Sequence, residues 1–150
     1  MDIEVIKLVT AALGSLGFAL LFRLEKEHLF TASFGGALTR GIFLLIFNLS
    51  EENVFFAIMM AAAFCSVYAE ILAKFRNTPA TVLLIPSIIP LIPGSSLYYS
   101  MSNFVQGNLT EALDYFKITI QSALSIALGI SIVWTVWAIL FNRKRYIKRA

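Results

Sequence analysis

A chain of 150 residues is long enough to bury one sizeable soluble core, but 59% of it is apolar, only 14% is charged and its mean hydropathy is +0.81, a composition suited to lipid rather than water. The net charge is +3, and the basic run Arg143-Lys-Arg-Tyr-Ile-Lys-Arg149 follows an apolar stretch holding Trp134 and Trp137, which reads as an interfacial anchor rather than an arm for nucleic acid. One cysteine, Cys65, and one histidine, His28, exclude a disulfide framework and a Cys/His metal centre, so neither metal nor cofactor is expected.

A hydrocarbon core about 30 Å thick takes ~20 apolar residues of helix, and five stretches qualify: roughly 4 to 22, 29 to 48, 53 to 73, 79 to 101 and 116 to 141. The fold class expected is an all-α integral membrane protein of five spans in a single transmembrane domain, with 142–150 as a basic tail. The start, Met1-Asp-Ile-Glu-Val-Ile-Lys7, is acidic and no small-residue cleavage site follows, so span one is expected to be retained rather than removed as a signal peptide. It carries small residues at Thr10, Gly14 and Gly17. The hinge Arg23-Leu-Glu-Lys-Glu-His28 follows, where His28 reads as a solvated loop histidine.

Span two has Ser33, Gly36 and Gly41, and past its middle a charge, Arg40, in Gly35-Gly-Ala-Leu-Thr-Arg-Gly41. An arginine at that depth costs at least ~2.5 kcal/mol unless paired or wet. Its partner could be backbone carbonyls of span four, the carboxylate of a solute, or an acid on another chain, and snorkelling to the outer surface is the structural alternative. Span three places Ala57, Ala61, Cys65 and Ala69 at steps of four, and span five places Ser122, Ser125 and Gly129 at helical spacing. These small residues are expected to be packing seams, since close backbone approach drives helix association in lipid. Near the end of span three, Glu70 either pairs with Lys74 one turn on or serves as a proton-coupling acid.

Span four is broken by composition. Asn77-Thr78-Pro79 reads as a helix start, with Thr78 as N-cap and Pro79 in the first turn. Pro86, Pro90 and Pro93 then have no N–H for the carbonyls of Val82, Pro86 and Ile89, and those three acceptors lie within about 60° of one helix face. Hydrocarbon cannot satisfy them, so they are expected to meet protein, water or a solute. Gly94 supplies a flexible joint, and Ser95 and Ser96 can cap a new helix running through Tyr98 and Tyr99 to Met101. Its free amides suit a carboxylate, as the half-helices of transporters do. Arg40, Pro86, Pro90, Pro93, Gly94, Ser95, Ser96 and Tyr98 are therefore the candidate substrate residues, with Glu70 as candidate coupling acid, and Gly94→Val is expected to stop transport without loss of the protein from the membrane.

The connections alternate in charge. Arg23, Lys26, Lys74, Arg76, Arg143, Lys144, Arg145, Lys148 and Arg149 fall on one side, nine of the 12 basic residues, while Glu51, Glu52, Glu111 and Asp114 fall on the other. The excess marks the cytoplasmic side and sets the N-terminus outside and the C-terminus inside. No Ser/His/Asp set, facing carboxylate pair or phosphate loop occurs, so neither an intramembrane enzyme nor ATP-driven pumping is expected of this chain.

From Ala69-Glu-Ile-Leu-Ala-Lys-Phe-Arg-Asn-Thr-Pro-Ala-Thr-Val-Leu-Leu-Ile-Pro-Ser-Ile-Ile-Pro-Leu-Ile-Pro-Gly-Ser-Ser-Leu-Tyr-Tyr-Ser-Met101, with Gly17-Phe-Ala-Leu-Leu-Phe22 and the Gly-Gly…Arg-Gly segment of span two, the chain resembles the threonine/serine exporter family, in its small-subunit branch of short chains equivalent to the second membrane half of the full-length exporters. The likeness covers most of the chain, and the proline-rich motif is its specific part. The resemblance implies a secondary exporter of small hydroxy amino acids in a prokaryotic cytoplasmic membrane, working with a separately encoded larger membrane subunit. Dicarboxylate export, or a scaffolding role beside a transporting partner, are the alternatives. Both transport readings share a carboxylate-bearing solute. Whether the chain also forms a homo-oligomer is left open.

Overall fold

A computed structural model describes residues 3–147, with side chains described to residue 140. Six α-helices account for nearly all of it: α1 (Ile3–Leu21), α2 (Lys26–Leu49), α3 (Val54–Arg76), α4 (Ala80–Ile88), α5 (Gly94–Val105) and α6 (Leu109–Ile147), with a short 3-10 turn at Ile89–Leu91 between α4 and α5. Four of the described helices are long and apolar enough to cross a membrane, and α4 with α5 forms a fifth crossing when the bent pair is taken as one span. The expected all-helical membrane architecture is what the chain adopts, and no strand occurs among the described residues.

The helices form a bundle in chain order. Helix α1 packs on α2, α2 on α3 and α4, and α3 on α4 and α6, whereas α5 rests on α6. The buried centre is made by Ala61, Ala62, Cys65 and Ala69 of α3 with Leu83, Leu84, Ile88 and Leu91 of the broken span. Bulky residues such as Leu13, Phe30, Leu45 and Phe75 point outward, as lipid-facing positions should when the solvent is hydrocarbon.

Three of the four small-residue seams close as expected. Ala57, Ala61, Cys65 and Ala69 are completely buried. On α2, Gly36 lies against Ser15 of α1, where a Cβ would collide with the Ser15 hydroxyl, and the Ser33 hydroxyl donates to the Ala12 carbonyl at 2.9 Å. On α6, Gly129 lets the helix reach the backbone of α3, where an added Cβ would meet Ala62 Cβ at 2.9 Å and Ala63 N at 3.0 Å. Span one differs: Thr10, Gly14 and Gly17 are exposed, and its buried stripe is Ala11, Ser15 and Ala19. The two stripes are offset by one to two residues, at least about 100° round the helix, and the seam faces α2 through alanine and serine.

Helix ends depart from the hydropathy spans where capping and charge decide. Helix α6 starts at Leu109 rather than near 116, because Glu111 in its first turn favours a helix N-terminus even where polarity ends the apolar run. At the other end it continues to Ile147 instead of stopping at 141. Its 39 residues measure about 58 Å, well beyond the ~30 Å of hydrocarbon. Lys148, Arg149 and Ala150, the end of the expected basic tail, lie outside the described residues. Helix α4 begins at Ala80 with Pro79, not Thr78, at the cap, and no side chain caps it.

Candidate functional site

The α4–α5 pair is broken about half-way along its length. Helix α4 has nine residues, or about 13.5 Å of rise, against a core of ~30 Å. The 3-10 turn follows, and α5 leaves at an angle of 57°. The physical cause is the spacing of the prolines: Pro86 sits inside α4, Pro90 inside the turn, and Pro93 at the N-cap of α5, so that every third or fourth N–H of the expected ladder is missing.

The break differs in detail from the pattern of free acceptors read from the prolines. The Ile89 carbonyl is not free, because the 3-10 turn brings the Ile92 N–H to it at 3.1 Å. The new helix also starts at Gly94 rather than Ser96, so Ser95 and Ser96 occupy its first turn instead of capping it, and no side chain caps it. The Gly94 N–H donates to the Ile92 carbonyl at 2.8 Å and the Leu97 N–H to the Pro93 carbonyl at 3.0 Å. The amides of Ser95 and Ser96 lie between these two bonds and find no backbone acceptor among the described residues. These are the first-turn donors that a helix leaves open.

Gly94 has neither a positive φ nor any atom within 4 Å of a built Cβ. The joint therefore does not require glycine, in contrast to the flexible-joint reading. Gly94→Val is expected to leave the melting profile of the purified protein within about 1 kcal/mol of wild type, the ordinary range for a surface site away from special features. A collapsed profile would show that the backbone needs glycine after all.

The remaining sequence candidates are dispersed. Arg40 is half-buried, and its guanidinium lies over the Phe43 ring of the same helix at 4.7 Å, a cation–π contact that takes the place of an acidic partner within the chain. Glu70 is half-buried on α3 and makes no ion pair with any described residue; the expected pair with Lys74 does not form. The Lys74 ammonium instead sits over the Trp137 ring of α6 at 4.2 Å. Tyr98 is 67% exposed, edge-on to Tyr99 with ring centres 5.5 Å apart, and α5 is held to α6 by the Ser100 hydroxyl donating to the Ala112 carbonyl at 2.9 Å.

A cavity of about 600 Å³ opens where the α1–α2 and α3–α4 turns meet. The first turn contributes Phe22, Arg23, Leu24, Glu25 and His28. The second contributes Arg76, Asn77, Thr78 and Pro79. From α4, Val82, Ile85 and Pro86 form one face, so the first proline of the motif, and the residue whose carbonyl it cannot serve, both belong to the wall. Both turns end a helix through a left-handed residue, Arg23 at φ 54° and Asn77 at φ 50°. The chain reverses in four residues at the first turn and three at the second, with the Leu24 N–H donating to the Ala19 carbonyl at 3.0 Å and the Thr78 N–H to the Ala73 carbonyl at 3.1 Å, the pattern of a Schellman ending.

His28 corrects the reading of a solvated loop histidine. It belongs to the first turn of α2, is 7% exposed, and its Nδ1 has no hydrogen-bond partner among the described residues. Its Nε2 lies 3.9 Å from the Glu25 carboxylate. Close by, an Arg76–Glu27 contact at 3.9 Å ties α3 to α2. Deeper in the bundle, the Tyr68 hydroxyl donates to the Thr31 carbonyl at 2.7 Å and the Ser87 hydroxyl to the Ala32 carbonyl at 3.3 Å. Gly35 makes this junction of α2, α3 and α4 possible, since a Cβ there would strike Ser87 and Tyr68.

The cavity residues Arg23, Glu25, His28, Arg76, Asn77 and Thr78 were not among the sequence candidates. Their signal was present in the alternation of charged connections, which puts both turns on one side of the membrane. That alternation was read for orientation alone. Arg40 is 12 residues beyond His28 along α2, about 18 Å, so the structure separates it from this cavity.

A family model described as "Threonine/Serine exporter, ThrE" matches residues 7–136. No solved structure matches the chain.

Proposed function

The chain belongs to the threonine/serine exporter family, a multi-pass membrane transporter family, and on that premise we propose that it is a subunit of a secondary exporter that moves small hydroxy amino acids, threonine or serine, out of a prokaryotic cell across the cytoplasmic membrane. It acts as one transmembrane unit with a larger membrane subunit of the same family, with the N-terminus outside and the C-terminus in the cytoplasm, and as a transporter rather than an enzyme. The observation that supports this reading is the bent pair α4 and α5, interrupted near the middle of its length, with amides at Ser95 and Ser96 that find no backbone acceptor among the described residues. Continuous helices satisfy every backbone group internally, and a break in hydrocarbon persists only where protein, water or a passing solute meets the freed groups.

In this role Pro86, Pro90 and Pro93 keep the span open, Gly94 leaves room beside the joint, and the Ser95 and Ser96 amides take the solute carboxylate. Tyr98 borders the same helix end, and Arg40 offers a second cationic group further along the path. Glu70 is the coupling acid. In the proposed orientation the cavity between the two turns faces the cytoplasm, the side from which an exporter loads.

Cells loaded with a threonine-containing dipeptide test this directly. Intracellular threonine should fall several times faster when the chain and its partner are both produced than when either is missing. Equal efflux with and without the chain rejects the exporter reading, and full activity of the partner alone in proteoliposomes reduces the chain to a scaffold.

A further inference from the structure

The lining of the cavity is specific in its chemistry as well as its place. Two arginines line it from separate turns, Arg23 and Arg76. Arg23 makes no ion pair with any described residue, and Arg76 is engaged only by Glu27, at 3.9 Å with that carboxylate 79% exposed. A contact so open to water is weak and readily displaced by an entering anion. Among the described residues the acid in the lining is Glu25. His28 stands in the same wall, its side chain nine-tenths buried and its Nδ1 without a partner among the described residues; a buried polar nitrogen left unpaired is costly. Phe22, Leu24, Pro79, Val82, Ile85 and Pro86 supply the apolar remainder. Mostly apolar walls, a few convergent polar groups and about 600 Å³ of space are what a small-molecule site requires.

We infer that this cavity binds a small amino acid as its zwitterion, the guanidiniums of Arg23 and Arg76 taking the carboxylate and the Glu25 carboxylate taking the ammonium. The inference rests on the exporter reading for the class of solute. Guanidinium and carboxylate match in shape and charge and pair through two parallel hydrogen bonds. A dicarboxylate would fit the arginines equally well but would set its second carboxylate against Glu25, and such like-charge contact discriminates between the two solutes. Glu25 is thereby the residue that selects an amino acid over a dicarboxylate.

The test uses the full chain in lipid nanodiscs, with radiolabelled L-threonine and succinate as separate probes and threonine methyl ester as competitor. Threonine should bind, and the ester, lacking the carboxylate, should fail to displace it. Arg23→Gln and Arg76→Gln should each weaken threonine binding by about tenfold or more, the worth of a lost charge-assisted pair. Glu25→Gln should weaken threonine and strengthen succinate, a reversal that mere damage to the fold would not produce. Ile85→Trp, which fills the cavity without changing charge, should block both probes.

Wild-type binding that survives the Arg23→Gln/Arg76→Gln double variant, or displacement by the ester, overturns the site. So does the absence of threonine binding by the wild-type chain. The same double variant is assayed for efflux from dipeptide-loaded cells: undiminished efflux there removes the cavity and leaves the exporter reading standing. Wild-type cells that show no efflux remove both.

Discussion

Ser95→Pro is expected to lower threonine efflux by at least about tenfold, while Ser95→Ala leaves it within about twofold of wild type. The two substitutions separate the amide from the hydroxyl. Ser95 lies in the first turn of α5, where its N–H has no backbone acceptor among the described residues. Proline there removes a donor without breaking a bond of the helix, and its fixed φ suits a helical first turn. Alanine keeps the donor and removes only the hydroxyl. A hydrogen bond from an amide to a charged carboxylate contributes roughly 1.5–3 kcal/mol, and each 1.4 kcal/mol is tenfold. The amount of each variant in purified membranes, compared by immunoblot, serves as the control for folding. Efflux lost equally in both variants would place the function in the hydroxyl; efflux retained in the proline variant would remove the amide from the path.

Gly129→Leu is expected to have the largest effect on folding. Its Cβ would enter space already held by α3, with Ala62 Cβ at 2.9 Å and Ala63 N at 3.0 Å, and the Met59 carbonyl is nearer still. Two of those three are backbone atoms and cannot move without displacing the helix. Overpacking a well-filled contact costs about 1–3 kcal/mol and more where the backbone obstructs, which is a large part of the ~5–15 kcal/mol that holds a typical domain. In detergent, Gly129→Leu should melt well below wild type or fail to elute as one species. Gly14→Leu provides the contrast, because nothing lies within 4 Å of a Cβ at that position, and it should melt with the wild type. A wild-type melting curve for Gly129→Leu would mean that the α3–α6 contact is looser than these distances allow.

The two variants bear on different levels of the molecule. Gly129 concerns how the helices assemble, and Ser95 concerns what an assembled chain leaves unpaired. Only the second belongs to transport as such. Because α5 rests on α6 and α6 is fastened to α3 through Gly129, the position of the free amides relative to the bundle depends on that seam. A milder variant, Gly129→Ala, is therefore a route by which a packing change far from the break can alter efflux.

Much of this architecture was legible in the residues themselves. Hydropathy located the long apolar helices to within a few residues at most ends, because burial in lipid is decided residue by residue and over a length set by the bilayer. The break was legible as well, since a proline lacks its N–H in any surroundings. Small residues at steps of four identified the α3 seam, where Ala57, Ala61, Cys65 and Ala69 are fully buried. In α1 the same reasoning selected the wrong stripe: spacing tells which residues share a face and does not tell which face meets a neighbour.

A membrane-spanning, all-helical chain interrupted by proline follows from the residues alone, because transfer to lipid and loss of an N–H are properties of single residues and short windows. What surrounds the interruption follows from how the helices pack. The 3-10 turn closes the Ile89 carbonyl, Arg40 stacks on Phe43, and His28 is buried. Two turns some 50 residues apart in the chain come together to line an open cavity with Arg23, Glu25 and Arg76 in its wall. Such a site depends on the relative placement of helices, which follows from backbone approach at Gly35, Gly36 and Gly129, and distance along the chain carries no record of it.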